Sequence, residues 1–438
     1  MRHYPKYPEY RESGVEWIGE IPTHWKIRKN KYIFNERSDR SVTGTEELLT
    51  VSHITGVSPR AEKNVSMFLA ETLEGYKHCS VGNLVINTMW AWMGALGISE
   101  FDGIVSPSYN VYQLKDGECL PRYYHYLYRT PSYVDEIIRW SKGIWHSRLR
   151  LYPDAFFSMS TITPPLREQK QIANFLDRKT KQIDELLRIK ERMVELLQEQ
   201  RTVLINQTVR KGLDPNVEMK PSGVEWIGEI PKGWEVKRIK YLASVISKGT
   251  TPTTIGREIL DKGEIRFIKA ENIVDYQIMR KPEYYIDEET NQMLKRSQLK
   301  ESDILFVIAG TIGKVSLVKP NHLPANTNQA VSFIRPHEKE VPEFIYYWLQ
   351  SDSIQKIIWM SVVQSVQPNL SMADLGNLYI PYPNIAEQLR IVDYLAAKTQ
   401  TIAQLLQQTY KQIELLKEYR QTLISEVVTG KIDVQNEV

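Results

Sequence analysis

The stretch SGVEWIGEIP occupies residues 13–22, and the same ten letters return at residues 222–231. The two copies lie 222 minus 13, or 209, positions apart. At the same offset the match continues through the pairs Trp25/Trp234, Lys31/Lys240 and Tyr32/Tyr241. An identical Trp-containing decapeptide at a fixed offset indicates that the chain is built from a duplicated unit.

The repeated decapeptide combines turn-forming residues with a large apolar surface. Its glycines and proline favour a turn-rich path. The apolar residues of the first copy are Val15, Trp17, Ile18, Ile21 and, just beyond it, Trp25. Each Trp can bury roughly 150 to 250 Å². We predict a segment that packs against its own domain. The alternative is a ligand-binding loop, but identical copies would not suit two different targets.

A second repeat has helical periodicity. EQKQIANFLDRKTKQIDELL begins at Glu168 and EQLRIVDYLAAKTQTIAQLL at Glu387, an offset of 387 minus 168, or 219. Apolar residues recur at heptad spacing, interrupted by Lys190 and Thr409 at the same heptad position. This predicts two long helices that pair with each other, with homo-oligomerisation as the alternative. The predicted pairing residues are Leu176, Ile183, Leu187, Leu197, Leu204, Leu395, Ile402, Leu406, Leu416 and Leu423.

Helix-boundary residues and composition divide the chain. Helix starts are indicated by Pro164 with Pro165 and by Asn384 with Glu387, and helix ends by Gly212 and Gly430. The predicted segments are a first globular domain at 1–163, a first long helix at 164–211, a linker at 212–222, a second globular domain at 223–383, a second long helix at 384–430 and a tail at 431–438.

The interiors of the two globular domains have diverged. PRYYHYLYRTPSYVDEI from Pro121 and PEFIYYWLQSDSIQKII from Pro342 agree only in outline, and the surrounding sequence does not match. The repeated decapeptide and the repeated helix thus form a matched frame around each diverged interior. This pattern is expected if the frame sets the geometry of each domain and the two interiors contact different targets.

Composition is that of an ordinary soluble protein. The 438 residues are 42% apolar and 25% charged, with a formal charge of +3. The length suggests two to four domains, and the charge does not by itself indicate a nucleic-acid partner. Cys79 and Cys119 form no CxxC, which predicts two buried thiols rather than a disulfide or zinc site. No run of about 18 apolar residues is present, and we predict a cytoplasmic protein without a membrane segment.

Motifs of enzymes are missing from the sequence. TPPL at 163–166 lacks the polar and aromatic ends of an amino-methyltransferase motif, and GTIGK at 310–314 has two residues between its glycines where a phosphate loop has four. No GxGxxG, HExxH or GxSxG occurs. We therefore predict no catalytic residues, no metal site and no cofactor in this chain.

The linker GLDPNVEMKPSGVEWIGEIPKGW, the helix start PPLREQKQIANFLDRKTKQIDELL and the segment GTIGKVSLV together resemble the specificity (S) subunits of type I restriction-modification systems. The resemblance covers essentially the whole chain. It implies an α+β fold with two mixed α/β target-recognition domains. These are separated by two long helices that pair as an antiparallel coiled coil, with internal two-fold pseudo-symmetry.

The resemblance also implies a function. Such a subunit is not an enzyme, and each of its recognition domains reads one half of a bipartite asymmetric target in double-stranded DNA. It docks two modification subunits that methylate adenine N6 with S-adenosylmethionine. The complex can recruit restriction subunits, which cut DNA using ATP and Mg. The duplicated frame would then present equivalent docking sites while the diverged interiors read different bases.

Polar and aromatic residues of the two interiors are candidates for DNA contact. Asn and Gln suit adenine, and Arg and Lys suit guanine. In the first domain the candidates are His53, Trp90, Trp92, Ser108, Tyr109, Asn110, His146, Arg148 and Arg150. In the second they are Lys248, Thr250, Thr251, Thr311, Lys314, Asn326, Asn328, Gln329, Gln367 and Asn369. Trp90 and Trp92 alternate as in a strand, which predicts that one of them lies in the core.

Other functions are compatible with parts of this pattern. The duplicated domains could form a non-enzymatic scaffold for proteins rather than DNA. The chain could also belong to a methylation-only system without a restriction subunit. A self-sufficient methyltransferase or nuclease is opposed by the missing motifs.

Overall fold

The computed structural model describes residues 4–62, 70–115, 117–143, 149–363 and 369–437, without the side chains of 361–363. The chain divides into two compact units. Unit 1 comprises Met1–Glu191 and Lys411–Val438, and unit 2 comprises Arg192–Tyr410.

Both units are mixed α/β. The strands of unit 1 are β1 Tyr10–Glu12, β2 Glu20–Pro22, β3 Lys26–Lys29, β4 Phe34–Arg37, β5 Leu49–Ser52, β6 Gly56–Pro59, β7 Lys77–Cys79, β8 Leu84–Asn87, β9 Leu96–Ile98, β10 Gly103–Val105, β11 Tyr109–Leu114 and β12 Ser160–Thr163. Those of unit 2 are β13 Met219–Pro221, β14 Glu229–Pro231, β15 Glu235–Arg238, β16 Ala243–Lys248, β17 Ile265–Ile268, β18 Ile273–Val274, β19 Gln277–Ile278, β20 Tyr285–Ile286, β21 Ile304–Val307, β22 Val315–Leu317, β23 Ala325–Thr327, β24 Val331–Pro336 and β25 Tyr379–Tyr382.

Two of the helices are much longer than the others. The helices are α1 Pro121–Tyr128, α2 Pro131–Trp140, α3 Pro153–Ser158, α4 Leu166–Lys211, α5 Glu288–Met293, α6 Pro342–Leu349, α7 Asp352–Val363, α8 Met372–Asn377 and α9 Ile385–Val428. The first part of α4 and the last part of α9 belong to unit 1, and the remaining parts belong to unit 2. None of the helices in the described ranges is long and apolar enough to cross a lipid bilayer.

The central sheets of the two units have the same topology. The strand order is β4-β11-β8-β9 in unit 1 and β16-β24-β21-β22 in unit 2, and all neighbours are antiparallel. In each unit a strand pair, β3 with β12 or β15 with β25, leads into a long helix. The predicted α+β fold and its internal symmetry are confirmed.

The units differ in the strands added to that sheet. Unit 1 adds the hairpin β5-β6 and the pair β7-β10. Unit 2 adds the sheet β20-β17-β23, in which β17 and β23 are parallel, and the short hairpin β18-β19. These additions lie in the diverged interiors.

The repeated decapeptide packs as predicted. In unit 1 it links β1 to β2, and Ile18, Ile21 and Trp25 are buried in the main core. The Trp25 indole also donates a hydrogen bond to the buried Glu168 carboxylate at 2.9 Å, which ties the segment to the start of α4. The equivalent Trp234 is buried in the main core of unit 2.

The long helices run antiparallel. Contacts between them are Asp184 with Arg420 and Glu191 with Lys417 in unit 1, and Gln198 with Tyr410 in unit 2. In these contacts the residue numbers on α9 decrease as those on α4 increase, which is the pattern of an antiparallel pair. Every predicted pairing residue is buried or half-buried. The interruption at Thr409 is buried too, because its hydroxyl donates to the Leu405 carbonyl of its own helix at 2.7 Å.

The helix ends agree with the local sequence signals. Asn384 caps α9, since its side chain accepts from the Glu387 amide at 2.9 Å. Gly212 and Gly430 follow the two helices with φ of 75° and 72°, a conformation that favours glycine. The predicted linker 212–222 is not wholly irregular, because it contains β13, which pairs with β14.

Candidate nucleic-acid interface

Most candidates of unit 2 meet at one end of its central sheet. Lys248, the last residue of β16, lies opposite Ser332 of β24, and Val307, the last residue of β21, lies opposite Val331. The connections that follow β16 and β21, and the segment before β24, therefore leave the sheet at the same end. We call residues 248–251, 308–314, 326–330 and 369 the reading edge of unit 2.

The reading edge is held together by close backbone approach. A Cβ on Gly249 would stand 1.8 Å from the Thr327 carbonyl oxygen, so only glycine fits there. The Thr251 hydroxyl donates to the exposed Gln329 amide oxygen. The Asn328 Oδ1 is buried and has no hydrogen-bond partner among the described residues. The two neighbouring amides thus have different surroundings, since Asn328 is half-buried and Gln329 is exposed.

The GTIGK segment is a tight connection between two antiparallel strands. Gly310 and Gly313 have φ of 76° and 94°. The Gln355 amide of α7 donates to the Gly313 carbonyl at 2.9 Å. Thr311 is exposed and Lys314 is half-buried. Because a strand rather than a helix follows, the segment is not a phosphate loop, as its spacing had already indicated.

Not all candidates of unit 2 can reach a ligand. Asn326 is fully buried and donates to the Asn291 amide oxygen at 3.1 Å and the Leu294 carbonyl at 3.2 Å. Its side chain supports the edge from inside, and we leave it out of the proposed surface. Asn369 is exposed, and its backbone bridges to Ala309. Gln367 lies outside the described residues.

The same end of the unit 1 sheet carries two tryptophans. Asn87 of β8 lies opposite Tyr109 of β11, so the connection 88–95 and the segment 106–109 share that end. Trp90 is 50% exposed, Trp92 is half-buried, and the two rings stack with centroids 6.5 Å apart. We call 88–95, 106–109 and Arg150 the reading edge of unit 1.

The prediction that these tryptophans alternate on a strand is wrong. Residues Ala91–Met93 form a 3₁₀ turn, which Gly94 ends with a φ of 83°. The turn directs Trp90 outward, and the Trp92 indole donates to the Met89 carbonyl at 3.0 Å. Neither ring enters the core.

As in unit 2, some polar candidates of unit 1 are accessible to a ligand and others are buried. Ser108 is exposed, and its carbonyl accepts from the Thr88 hydroxyl at 2.8 Å. Tyr109 is half-buried, and Asn110 is buried beside Lys77. The Lys77 ammonium donates to the Tyr109 carbonyl at 2.7 Å and to the Asn110 amide oxygen at 3.3 Å, and burial lowers the pKa of Lys77. Asn110 is therefore left out of the proposed surface.

Of the remaining candidates of unit 1, Arg150 adjoins the reading edge, because the amide of the next residue, Leu151, donates to the Thr88 carbonyl at 3.3 Å, and His53 lies elsewhere. His53 is exposed on the β5-β6 turn, where its carbonyl accepts from the Arg129 guanidinium at 3.1 Å. Arg150 is exposed, and its backbone pairs with Lys142. His146 and Arg148 lie outside the described residues.

One exposed aromatic residue was missed by sequence reasoning. Trp359 is 67% exposed on α7. It stands one turn beyond Gln355, which holds the Gly310–Lys314 connection, so it shares that face of the helix. Sequence reasoning did not single out Trp359, because the apolar run IIWM is typical of a buried helix.

Among the described residues no metal or redox site accompanies these edges. No group of three or more His, Cys, Asp or Glu side chains could hold a metal ion there. Cys79 and Cys119 are buried thiols that are not joined in a disulfide, as predicted.

Part of the chain is similar in sequence to known proteins. Residues 231–415 match the family described as the type I restriction modification DNA specificity domain. The chain is 27% identical over 279 residues to the type I restriction enzyme MjaVIII specificity subunit of Methanocaldococcus jannaschii, covering 62% of each. It is 26% identical over 285 residues to the EcoBI specificity subunit of Escherichia coli, covering 62% of this chain and 58% of that one. The chain thus matches less than two thirds of these relatives' length.

Solved structures share the fold. A chain from a structure describing complex assembly and conformational transition of the type I R-M system superposes with a TM-score of 0.71 at 16% identity, covering 93% of this chain and 98% of that one. The HsdS subunit from Thermoanaerobacter tengcongensis superposes with a TM-score of 0.53 at 16% identity, covering 94% and 98%. Over residues 231–415 the chain is thus similar in sequence to the type I restriction modification DNA specificity domain, and over nearly its whole length it shares the fold of these solved structures.

Proposed function

We propose that this chain is the non-catalytic DNA-reading subunit of a type I restriction-modification complex, and that each unit reads one half of a bipartite, asymmetric target. The observation that carries the proposal is the pair of reading edges. Each edge lies at the same end of the central sheet of its own unit, and the two sheets have the same topology. The two edges nevertheless display different side chains. Equivalent placement with different chemistry is what reading two different half-sites requires.

The exposed and half-buried groups of the edges suit base and phosphate contact. In unit 2 the amides of Asn328 and Gln329 are fitted to adenine, and Lys314 is fitted to guanine or phosphate. In unit 1 Trp90 offers an apolar face and Arg150 a guanidinium. The two edges therefore favour different bases.

Docking of two identical modification subunits is supported by leucines on the long helices. Leu186 and Leu196 of α4 are exposed, and so are the equivalent Leu405 and Leu415 of α9. A protein partner that covers such exposed leucines would remove their apolar surface from water. Because the exposed leucines recur at equivalent positions of α4 and α9, they favour the binding of two copies of the same partner. In this proposal S-adenosylmethionine is bound by the modification subunits, and ATP with Mg by restriction subunits where a system has them.

Methylation mapping tests the proposal. The chain is expressed with its modification subunit in a host without adenine methylation, and N6-methyladenine is located genome-wide. We expect one bipartite, asymmetric motif, and we expect none when either protein is expressed alone. Methylation by the chain alone, or a motif unaffected by removing the chain, would refute the proposal.

A further inference from the structure

A basic segment with a terminal tyrosine is present in both units. Residues 28–32 read RKNKY and residues 237–241 read KRIKY. Both begin within the strand that precedes the central sheet and end in a 3₁₀ turn, Asn30–Tyr32 and Ile239–Tyr241. The positive charges and the tyrosine thus occupy equivalent positions. We call each segment a basic-tyrosine patch.

Contacts within the unit account for the first three residues of each patch but not for the last two. In unit 2, Lys237 lies 3.5 Å from the Tyr382 ring centroid and Arg238 donates to the Tyr379 hydroxyl at 2.8 Å. Asn30 and Ile239 are fully buried. By contrast, Tyr32 is 57% exposed and Tyr241 is 64% exposed. The fold has no need of an aromatic ring in solvent at the same place in both units.

The cations of the patches are arranged around the tyrosines. The Lys31 ammonium lies 4.9 Å from the Tyr32 ring centroid, and the Lys240 ammonium lies 5.3 Å from that of Tyr241. In unit 1 the Arg28 guanidinium donates to the Tyr32 carbonyl at 2.9 Å. Among the described residues, neither Lys31 nor Lys240 has a carboxylate within ion-pair distance. The first cation of each patch is paired, Arg28 with Glu118 at 3.7 Å and Lys237 with Glu235 at 3.6 Å. Lys31 and Lys240 therefore supply the positive charge that stands beside each exposed aromatic ring.

The neighbouring exposed position shows that this charge pattern is selective. Lys26 stands two residues before the first patch, and the equivalent residue is Glu235. Both are exposed. Since the charge is reversed just outside the patch and kept within it, general surface basicity does not account for the repeat.

The patches lie away from the reading edges. In unit 2, Ala243 pairs with Pro336 at the start of β16, next to the patch, whereas Lys248 pairs with Ser332 at the reading edge. Five residue steps separate these ends, or roughly 17 Å at about 3.4 Å per residue. The patches are thus separate from the reading edges.

We propose that the two basic-tyrosine patches are equivalent docking sites, each binding an acidic surface on one copy of the modification subunit. This inference rests on the proposed function, which supplies two identical partners for one chain. Tyr and Arg are enriched at protein interfaces, where an amphipathic ring gives contact area at little entropic cost. The complementary charges speed association and fix its orientation.

Stoichiometry measurements on the complex test the two sites separately. The variants are Lys31→Glu with Tyr32→Ala, Lys240→Glu with Tyr241→Ala, and all four changes together. Native mass spectrometry counts the modification subunits bound, and titration gives each affinity. We expect two subunits on the wild-type chain, one on either paired variant and none on the quadruple variant at the same concentration. The affected site should weaken at least tenfold, and the other should stay within about twofold.

A matched control is Lys26→Glu, which gives unit 1 the charge that unit 2 already has at this position. It should leave two subunits bound. Circular dichroism melts confirm that every variant folds, as expected for changes at exposed side chains.

Each alternative result has a definite meaning. If the quadruple variant binds two modification subunits with wild-type affinity, the docking sites are refuted while the proposed function stands. If it keeps two subunits but binds DNA more weakly, the patches contact the DNA backbone and the inference is likewise overturned. If the wild-type chain binds no modification subunit at all, the proposed function itself fails, and the docking sites fail with it.

Discussion

Asn326 and Asn328 stand two positions apart on one segment and have opposite surroundings. The amide of Asn326 donates hydrogen bonds inside the protein, to the Asn291 side chain and the Leu294 carbonyl. The Oδ1 of Asn328 has no partner among the described residues, although it is buried. A buried polar atom without a partner costs about 1 to 3 kcal/mol, so Asn328 is not explained by stability. The contrast indicates that Asn326 stabilises the fold and that Asn328 is available to a ligand.

The pair gives a matched test. Asn328→Ala should leave the free energy of unfolding unchanged or slightly raised, and should reduce discrimination at one base pair by about 1 to 3 kcal/mol. Asn326→Ala should lower the free energy of unfolding by a similar amount, because buried partners lose their hydrogen bonds. Urea unfolding and competition binding with singly substituted DNA measure the two effects. If Asn328→Ala alters stability alone, the amide is not a base reader.

Lys314 should behave differently from the amides. Lys314→Ala removes a charge, so binding should weaken to a similar degree on all sequences, and the slope of log K against log salt should fall by about 1. Binding isotherms at several salt concentrations measure this slope. An unchanged slope together with a lost base preference would make Lys314 a base reader rather than a phosphate contact.

Gly249 should be intolerant of a side chain. Gly249→Ala places a Cβ against the Thr327 carbonyl, and the shift needed to relieve the contact should cost about 1 to 3 kcal/mol. DNA binding should fall with it, since the reading edge is displaced. Gly233→Ala is the control, because a Cβ there meets nothing within 4 Å. Equal melting temperatures for the two variants would contradict the close approach.

Sequence reasoning worked at the scale of elements and failed at that of individual side chains. The long helices, their pairing residues and their caps follow from periodicity and local hydrogen bonding, which the sequence contains. The burial of Asn326 and the exposure of Trp359 depend on which elements pack over them, which no local pattern encodes. Trp90 and Trp92 look like a strand pair because a 3₁₀ turn and a strand differ little over three residues.

Equivalent elements of the two units differ in how they respond to pH. His125 of α1 packs against the backbone of Gly56 and Gly97, and the equivalent residue of α6 is Tyr346. Burial, with the nearby charge of Arg129, lowers the pKa of His125 from 6.5 to about 4. Tyr346 takes up no proton in this range, because a phenol is already neutral there, and desolvation raises its pKa further.

The sign of the pH effect follows from the neutral, buried imidazole. The unfolded chain binds a proton near pH 6.5 and the folded chain only near pH 4, so protonation favours unfolding. The contribution of His125 to the free energy of unfolding is fully present above pH 6.5. It decreases as the pH drops toward 4, by at most about 3 kcal/mol. Urea unfolding with hydrogen exchange should show unit 1 losing stability in this window before unit 2. The variant His125→Gln should lack the difference, and a wild-type unit 1 as insensitive as the variant would contradict it.

At the scale of the whole molecule, each unit combines a kept frame with a replaceable interior. The frame consists of the hairpin β1-β2 or β13-β14, the strand pair that leads into a long helix, and parts of both long helices. The reading edge is formed by connections of the central sheet, within the diverged residues. Because each edge is built inside its own unit, changing one interior leaves the residues that form the other edge untouched.

Exchange of one interior should therefore change one half-site. Replacing residues 244–379 with the corresponding part of a related subunit cuts the chain within β16 and at the first residue of β25, so the frame of unit 2 keeps its packing. The equivalent exchange in unit 1, by the offsets 209 and 219, is residues 35–160, and it should change the other half-site alone. Each chimera is expressed with the modification subunit, and the methylated motif is mapped. The two exchanges serve as controls for each other, because each must preserve the half-site that the other alters. A single exchange that changed both half-sites would mean that the edges do not read independently, and the assignment of one half-site to each unit would be wrong.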